Sequence, residues 1–165
     1  MHKKNCKLVS ASSENYNDYH KIRSEKINLY WTGYNSPPDY DEFKKWYINR
    51  INDPSRDIFL MYCNNNCVGS LHIDYYENYA AIGYSVKEAY SGEGIGTLIV
   101  GKALQLLKEE NRSGKSITTI KAWINQKNIA SIKVVEKNNF YNSGNDKMKI
   151  RFGKKELYYE YEIKI

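Results

Sequence analysis

Apolar and polar positions along the chain follow two periods, and each change of period marks a new element. Lys7 to Ala11 reads as a short first strand. Ser12 or Ser13 can then cap a helix that starts near Glu14 and carries Tyr16, Tyr19, His20, Ile22, Arg23 and Ile27 along one stripe. Leu29 to Pro38 holds a glycine and paired prolines and is expected to be a loop. A second helix runs from about Tyr40 to Ile51, with Phe43, Trp46, Tyr47 and Arg50 at i, i+3, i+4 and i+7. From Asp57 the period falls to two. Ile58 to Cys63, the Asn64-Asn65-Asn66 turn and Val68 to Tyr76 predict an antiparallel hairpin, and Tyr79 to Val86 a third consecutive strand. Ile95, Leu98, Ile99, Ala103, Leu106 and Leu107 then share one helical face suited to covering a sheet, and Ser113-Gly114-Lys115 is expected to end that helix. Ser116 to Ile124 alternates as a strand, and Asn125 to Asn128 open a fourth helix with Ile129, Ile132 and Val135 inward. Asn139-Phe140-Tyr141 and Leu157 to Ile165 give two last strands, and the polar residues 142–156 between them read as a mobile turn.

Composition adds limits rather than elements. At 165 residues the chain reads as one domain, 1–165, able to bury about 70% of its unfolded surface. Lys and Arg number 25 against 19 Asp and Glu, and this surplus of +6 is scattered along the chain, which suits an anionic ligand but contains no nucleic-acid reader motif. Three cysteines, with Cys63 and Cys67 lacking a second Cys or His pair, give no metal site and are expected to be reduced thiols. No apolar run is long enough for a membrane span and no signal-peptide pattern follows Met1, so a cytoplasmic protein is expected. Tyrosine reaches 16, enough to line a pocket that is both apolar and hydrogen-bonding, or simply a bias shared with Asn, Lys and Ile.

The chemistry concentrates where the third of those strands meets a helix, at Ser91-Gly92-Glu93-Gly94-Ile95-Gly96-Thr97. Alternate glycines remove the Cβ atoms that would keep a ligand off the backbone, at a helix start whose N–H groups have no intrahelical partner. Such an end attracts phosphate. The spacing is not that of a P-loop, since no Lys follows Gly96, nor that of the Gly-x-Gly-x-x-Gly dinucleotide turn. A turn that binds nothing has the same local signature.

Two motifs in order decide between these readings. Ile82-Gly83-Tyr84-Ser85-Val86 with the glycine turn, and Asn128-Ile129-Ala130-Ser131-Ile132 followed by Glu136-Lys137-Asn138-Asn139-Phe140, make the chain resemble the GNAT superfamily of acetyl-coenzyme A-dependent N-acetyltransferases over nearly its whole length. It looks most like the branch with ribosomal-protein N-terminal, amino-sugar and aminoglycoside acetyltransferases. The resemblance implies an α/β (α+β) fold, a mostly antiparallel mixed sheet of about seven strands with four helices, splayed after Val86. It implies acetyl-CoA as cofactor, with the pyrophosphate on the N–H groups of Gly92, Glu93, Gly94, Ile95, Gly96 and Thr97, Ser91 as a weaker contact beside them, the pantetheine arm along Tyr84, Ser85 and Val86, and Asn128 against that arm. It further implies that the backbone N–H of Val86 faces the thioester oxygen, where negative charge develops as an amine attacks.

Departures leave the acid and base open. Ser91 stands where the family has Gln or Arg, Asn139 where it has Gly, and Val135 where many members carry the tyrosine that protonates the thiolate. Ser131 and Tyr141 are the candidate acids, each with a structural alternative. His72, sharing a strand face with Asp74 near Glu77, is the candidate base, again with a structural alternative. The acceptor is expected to be a small-molecule primary amine, with Tyr30, Trp31 and Tyr34 offering faces to a sugar, including one linked to a nucleotide. A protein N-terminus, or a non-catalytic acyl-CoA sensor, is the alternative. The chain is expected to be a monomer or homodimer, and no nucleic-acid or membrane partner is expected.

Overall fold

The computed structural model describes residues 5–109 and 116–165. Its seven strands are β1 Cys6–Ser10, β2 Arg56–Cys63, β3 Asn66–Tyr75, β4 Tyr79–Val86, β5 Thr119–Asn125, β6 Tyr141–Arg151 and β7 Lys154–Lys164; its helices are α1 Tyr16–Ser24, α2 Lys26–Thr32, α3 Tyr40–Ile51, α4 Ile95–Glu109 and α5 Ile129–Glu136. They form one sheet in the order β1-β2-β3-β4-β5-β7-β6, in which only β4 and β5 run parallel. The Asn64–Asn65 turn has both residues at positive φ, as a tight hairpin requires.

Each face of the sheet buries its own apolar set. Ile95, Ile99, Val100 and Ala103 of α4 and Val135 of α5 pack on Leu71, Ile73, Ile82 and Ile120. Tyr16, Tyr19 and Ile22 of α1 and Tyr47 of α3 pack on Ile58 and Leu60 on the other face. The ladder between β4 and β5 holds from Tyr79↔Thr119 to Ala81↔Lys121 and then stops. Ile82 to Val86 therefore keep β3 on one side and have no strand on the other. The opening starts five residues earlier than the expected point after Val86.

Three further expectations are corrected, and a fourth lies outside the described residues. Five α-helices occur among the described residues, because the chain breaks at Glu25 and re-forms a helix over Lys26–Thr32, whose second half from Leu29 falls in the stretch expected to be a loop; Gly33, at φ 84, ends it in the left-handed conformation. Residues 142–156 are not a mobile turn: they make β6, the turn at Phe152 and Gly153, and the start of β7. Cys6 and Cys63 are not free thiols, since the antiparallel register sets them opposite one another with Cα atoms 4.1 Å apart and they form a disulfide; Cys67 is free and buried. The predicted end of the long helix at Ser113-Gly114-Lys115 lies outside the described residues. Among those described, no helix is long and apolar enough to cross a membrane.

Candidate active site

Where β4 and β5 part, a cavity of about 670 Å³ passes through the sheet, bounded by the glycine turn, α5, α2 and the free edges of both strands. Strand alternation fixes what β4 offers it. Lys87 donates its N–H to Val68 of β3 at 2.9 Å, so the odd positions face β3 and the even ones face the gap. The Val86 carbonyl accordingly accepts from the Asn28 side chain at 3.3 Å, across the gap. The N–H groups of Tyr84 and Val86 point the same way, into the opening.

At one mouth stands the start of α4. Gly92 and Gly94 have φ of 79 and 77, a conformation L side chains rarely adopt. Gly94 accepts the first helical bond, from Leu98, which leaves the N–H groups of Ile95, Gly96 and Thr97 as the unpaired donors of the first turn. Gly96 is close-packed as well as bare: a Cβ there would lie 3.2 Å from both Tyr84 and Val134. Lys133 of α5 and Lys137, the residue that caps its C-terminal end one turn later, also line the cavity and add two cations. Asn128 caps α5, its Oδ1 accepting from Ser131 N–H at 3.1 Å, so its amide nitrogen is what it has left to offer. Phosphate donors at one end, a strip of strand backbone in the middle and a lining of Ile82, Ala122, Ile124 and Val134 between them fit a coenzyme A-type molecule.

The second mouth opens on the other face, between α2 and the sheet beyond the gap. Ile27, Asn28 and Trp31 form one wall; Trp123, Asn125 and Tyr158 form the other. The two sides are joined above it by Arg151, which is buried, bonds to the Tyr30 carbonyl and Glu156, and packs its guanidinium over the rings of Tyr30, Trp31 and Phe152. Buried Asn28 also donates to the Ile22 carbonyl at 2.9 Å, and Glu25 accepts from the Glu88 N–H at 2.8 Å, so the α1–α2 break is tied to the end of β4.

The residues singled out from the sequence divide clearly. Tyr84, Ser85, Val86, Ser91, Gly92, Gly94, Ile95, Gly96, Thr97 and Asn128 all line the cavity, while Glu93 is exposed and outside it. Trp31 lines it; Tyr30 is spent on Arg151, and Tyr34 is 60% exposed and away from the lining. Ser131 lines it, and its backbone carbonyl accepts from the Tyr84 hydroxyl at 3.4 Å, a hydroxyl whose pKa burial pushes up to about 12. Tyr141 does not: it stands on the edge strand β6, hydrogen-bonded to Glu162 at 2.7 Å. His72 does not either. It points towards α1, bonded to Tyr19 at 2.9 Å, and burial, with the charges of Arg23 and Arg50, pushes it down to about 3. An imidazole held neutral that firmly is a poor proton acceptor for an ammonium. Val135, expected at the acid position, is buried in the core, and the cavity is lined one residue earlier by Val134. Asn28, Trp123, Tyr158, Lys133 and Lys137 were missed; only the i, i+4 lysine pair carried a sequence signal.

A mixed sheet split at its one parallel pair, with a bare helix start at the split, defines a nucleotide-cofactor acyltransferase scaffold. The chain belongs to the GNAT acetyltransferase family, whose domain model matches residues 7–141. Among solved structures it is similar to spermidine N-acetyltransferase from Vibrio cholerae, determined with CoA and spermine (TM-score 0.84, 15% identity, 98% of this chain and 96% of that one). It is similar also to RimL, a ribosomal L7/L12 α-N-protein acetyltransferase with coenzyme A (TM-score 0.84, 19% identity, 99% and 96%). A third is AAC(6')-Ib with paromomycin and acetyl-CoA (TM-score 0.75, 14% identity, 95% and 93%). No curated protein matches the sequence.

Proposed function

We propose that the protein transfers an acetyl group from acetyl-CoA to the primary amine of a small molecule, with both substrates bound together. The reading is carried by one observation: one cavity is lined at once by the glycine turn, by the free edge of β4 as far as Val86 and by α2. Bound acetyl-CoA supplies an activated thioester, whose acetyl carbon forms a bond to the amine nitrogen as its bond to sulfur breaks. The first turn of α4, with Lys133 and Lys137, holds the pyrophosphate; Tyr84 and Val86 hold the pantetheine arm by their backbone. Val86 N–H stabilises the negative charge that develops on the acyl oxygen, a contribution of about 3 kcal/mol for such a donor. Asn28 fixes that peptide by holding the Val86 carbonyl. Ser131 is the side-chain hydroxyl of the candidate acids that the cavity reaches. Much of the rate comes from holding the amine in line with a thioester that is already activated.

Thiol release from acetyl-CoA across a panel of amines tests this. Turnover with a small primary amine is expected. Tight cofactor binding with no turnover on any amine would mark a sensor instead, and turnover only on peptides would mark a protein N-terminal acetyltransferase.

A further inference from the structure

The acceptor mouth has a charge pattern along it. Beside Val86 the lining is acidic: Glu88 borders the cavity and Glu25 sits against the Glu88 N–H. Across the gap, β6 brings two lysines onto the rings of the aromatic wall, at its rim rather than among the lining residues. The Lys147 ammonium lies 3.7 Å from the centre of the Trp123 ring and the Lys149 ammonium 4.7 Å from that of Tyr158, and both rings line the cavity. These lysines share a face because β6 pairs with β7 as Lys147↔Tyr158 and Lys149↔Glu156.

The carboxylates on that same face are all engaged. Glu160 accepts from Lys121, Ser143 and Asn145; Glu156 accepts from Arg151 and Asn125; Glu162 accepts from Tyr141 and lies 3.5 Å from Lys164. Neither Lys147 nor Lys149 has a carboxylate within ion-pair distance among the described residues. Both ammonium groups sit below the ordinary lysine value because burial removes part of their water, although Lys149 as a whole stays exposed. Two cations held on aromatic faces, partly stripped of water and without an ion-pair contact, Glu160 acting on Lys147 only from a distance, are a seat for an anion.

We propose that the acceptor carries a carboxylate or phosphate as well as its amine, the anion resting on Lys147 and Lys149 while the amine lies towards Glu88 and Val86. This deepens the acetyl-transfer reading and rests on it. A polyamine, positive at both ends, would meet Lys147, Lys149 and the buried Arg151 at one end of the mouth; a molecule of mixed charge satisfies both ends.

Steady-state kinetics with an aminohexose, an aminohexose phosphate, an α-amino acid and spermine test it. The wild type should favour an anionic amine over both the neutral sugar and spermine, and the phosphate and carboxylate arms show which anion is taken. Lys147→Met and Lys149→Met, which keep the stems on the rings, should each raise KM for the anionic amine about tenfold or more, the effect of one lost charge-assisted bond. KM for acetyl-CoA and kcat should hold within about twofold, and Lys→Arg at either site should restore most of the affinity. Preference for spermine, an equal rise for the neutral amine, a rise in KM for acetyl-CoA instead, or no effect on the anionic amine would each overturn the assignment. If no amine is turned over, calorimetric titration of the aminohexose phosphate and the amino acid into wild type and the double Met variant decides separately: lysine-dependent binding upholds the anion seat while the transfer reading fails, and binding that ignores the lysines, or none, overturns the seat.

Discussion

At the scale of single residues, the glycines of the turn do different jobs, and substitution separates them. Gly94 sits at φ 77 and carries the cap of α4, so Gly94→Asp places a carboxylate where three unpaired N–H groups wait for phosphate. We expect its affinity for acetyl-CoA to fall at least about a hundredfold while the fold survives with a small loss from the positive φ. Calorimetry on the folded variant checks this, and unchanged affinity would remove the pyrophosphate from the turn. Gly96→Val differs, because its Cβ would meet Tyr84 and Val134 at 3.2 Å, so lost binding there comes mixed with lost stability. His72 gives a second residue-scale expectation. Its folded pKa lies near 3, below the ordinary histidine value near 6.5, so between those values the unfolded chain binds the extra proton and stability falls as pH falls. Its contribution is therefore complete above about pH 6.5 and lost as pH drops towards 3. In denaturant titrations His72→Gln should show a shallower loss of stability over that window than the wild type. The pH dependence of acetyl transfer should keep its acidic limb in the same variant, and a limb that vanished would restore His72 as the base.

At the scale of elements, what could be read from the sequence was what a local pattern or the backbone determines. Three consecutive strands and the helix after the glycines each follow from a short stretch of residues. Helix α2 hid because Tyr30, Trp31, Gly33 and two prolines look like a loop, whereas Gly33 ends a short helix that is held from outside by Arg151 bonding to the Tyr30 carbonyl. Strand β6 hid for the same reason. Lys147, Lys149 and Arg151 alternate with Met148 and Ile150, yet every polar residue makes the run look like solvated turn until β7 lies beside it. Half of the site followed the same rule. The proposed cofactor half is mostly backbone at one contiguous stretch, and the sequence exposes it. The proposed acceptor half is assembled from α2, β5, β6 and β7, whose side chains meet only through the sheet order, so Trp123, Tyr158 and the two lysines had no mutual signature. The aromatics chosen as sugar platforms show the cost: Tyr30 and Trp31 are partners of Arg151 before they are partners of anything else.

For the whole molecule, the consequence is a sheet that is continuous on one side of β4 and open on the other. The β3 ladder runs through Gly69↔Val86, and the β5 ladder ends at Ala81, so one strand carries protected and unprotected amides in alternation. A wedge of this kind costs the fold several backbone bonds, which the two apolar faces offset by packing α4 on one side and α1 and α3 on the other. Amide exchange followed by NMR makes the geometry visible. In the free protein the amides of Gly83 and Ser85 should be slow and those of Tyr84 and Val86 fast, although all four lie in one strand. Adding coenzyme A should slow Tyr84 and Val86 by at least about tenfold and leave the other two as they were, because the pantetheine arm would take the place of the missing strand on that edge alone. Equal protection of all four in the free protein would mean that the sheet is closed in solution. Protection appearing at Gly83 and Ser85 rather than Tyr84 and Val86 would reverse the assigned alternation, and with it the placement of the Val86 N–H at the reacting carbonyl.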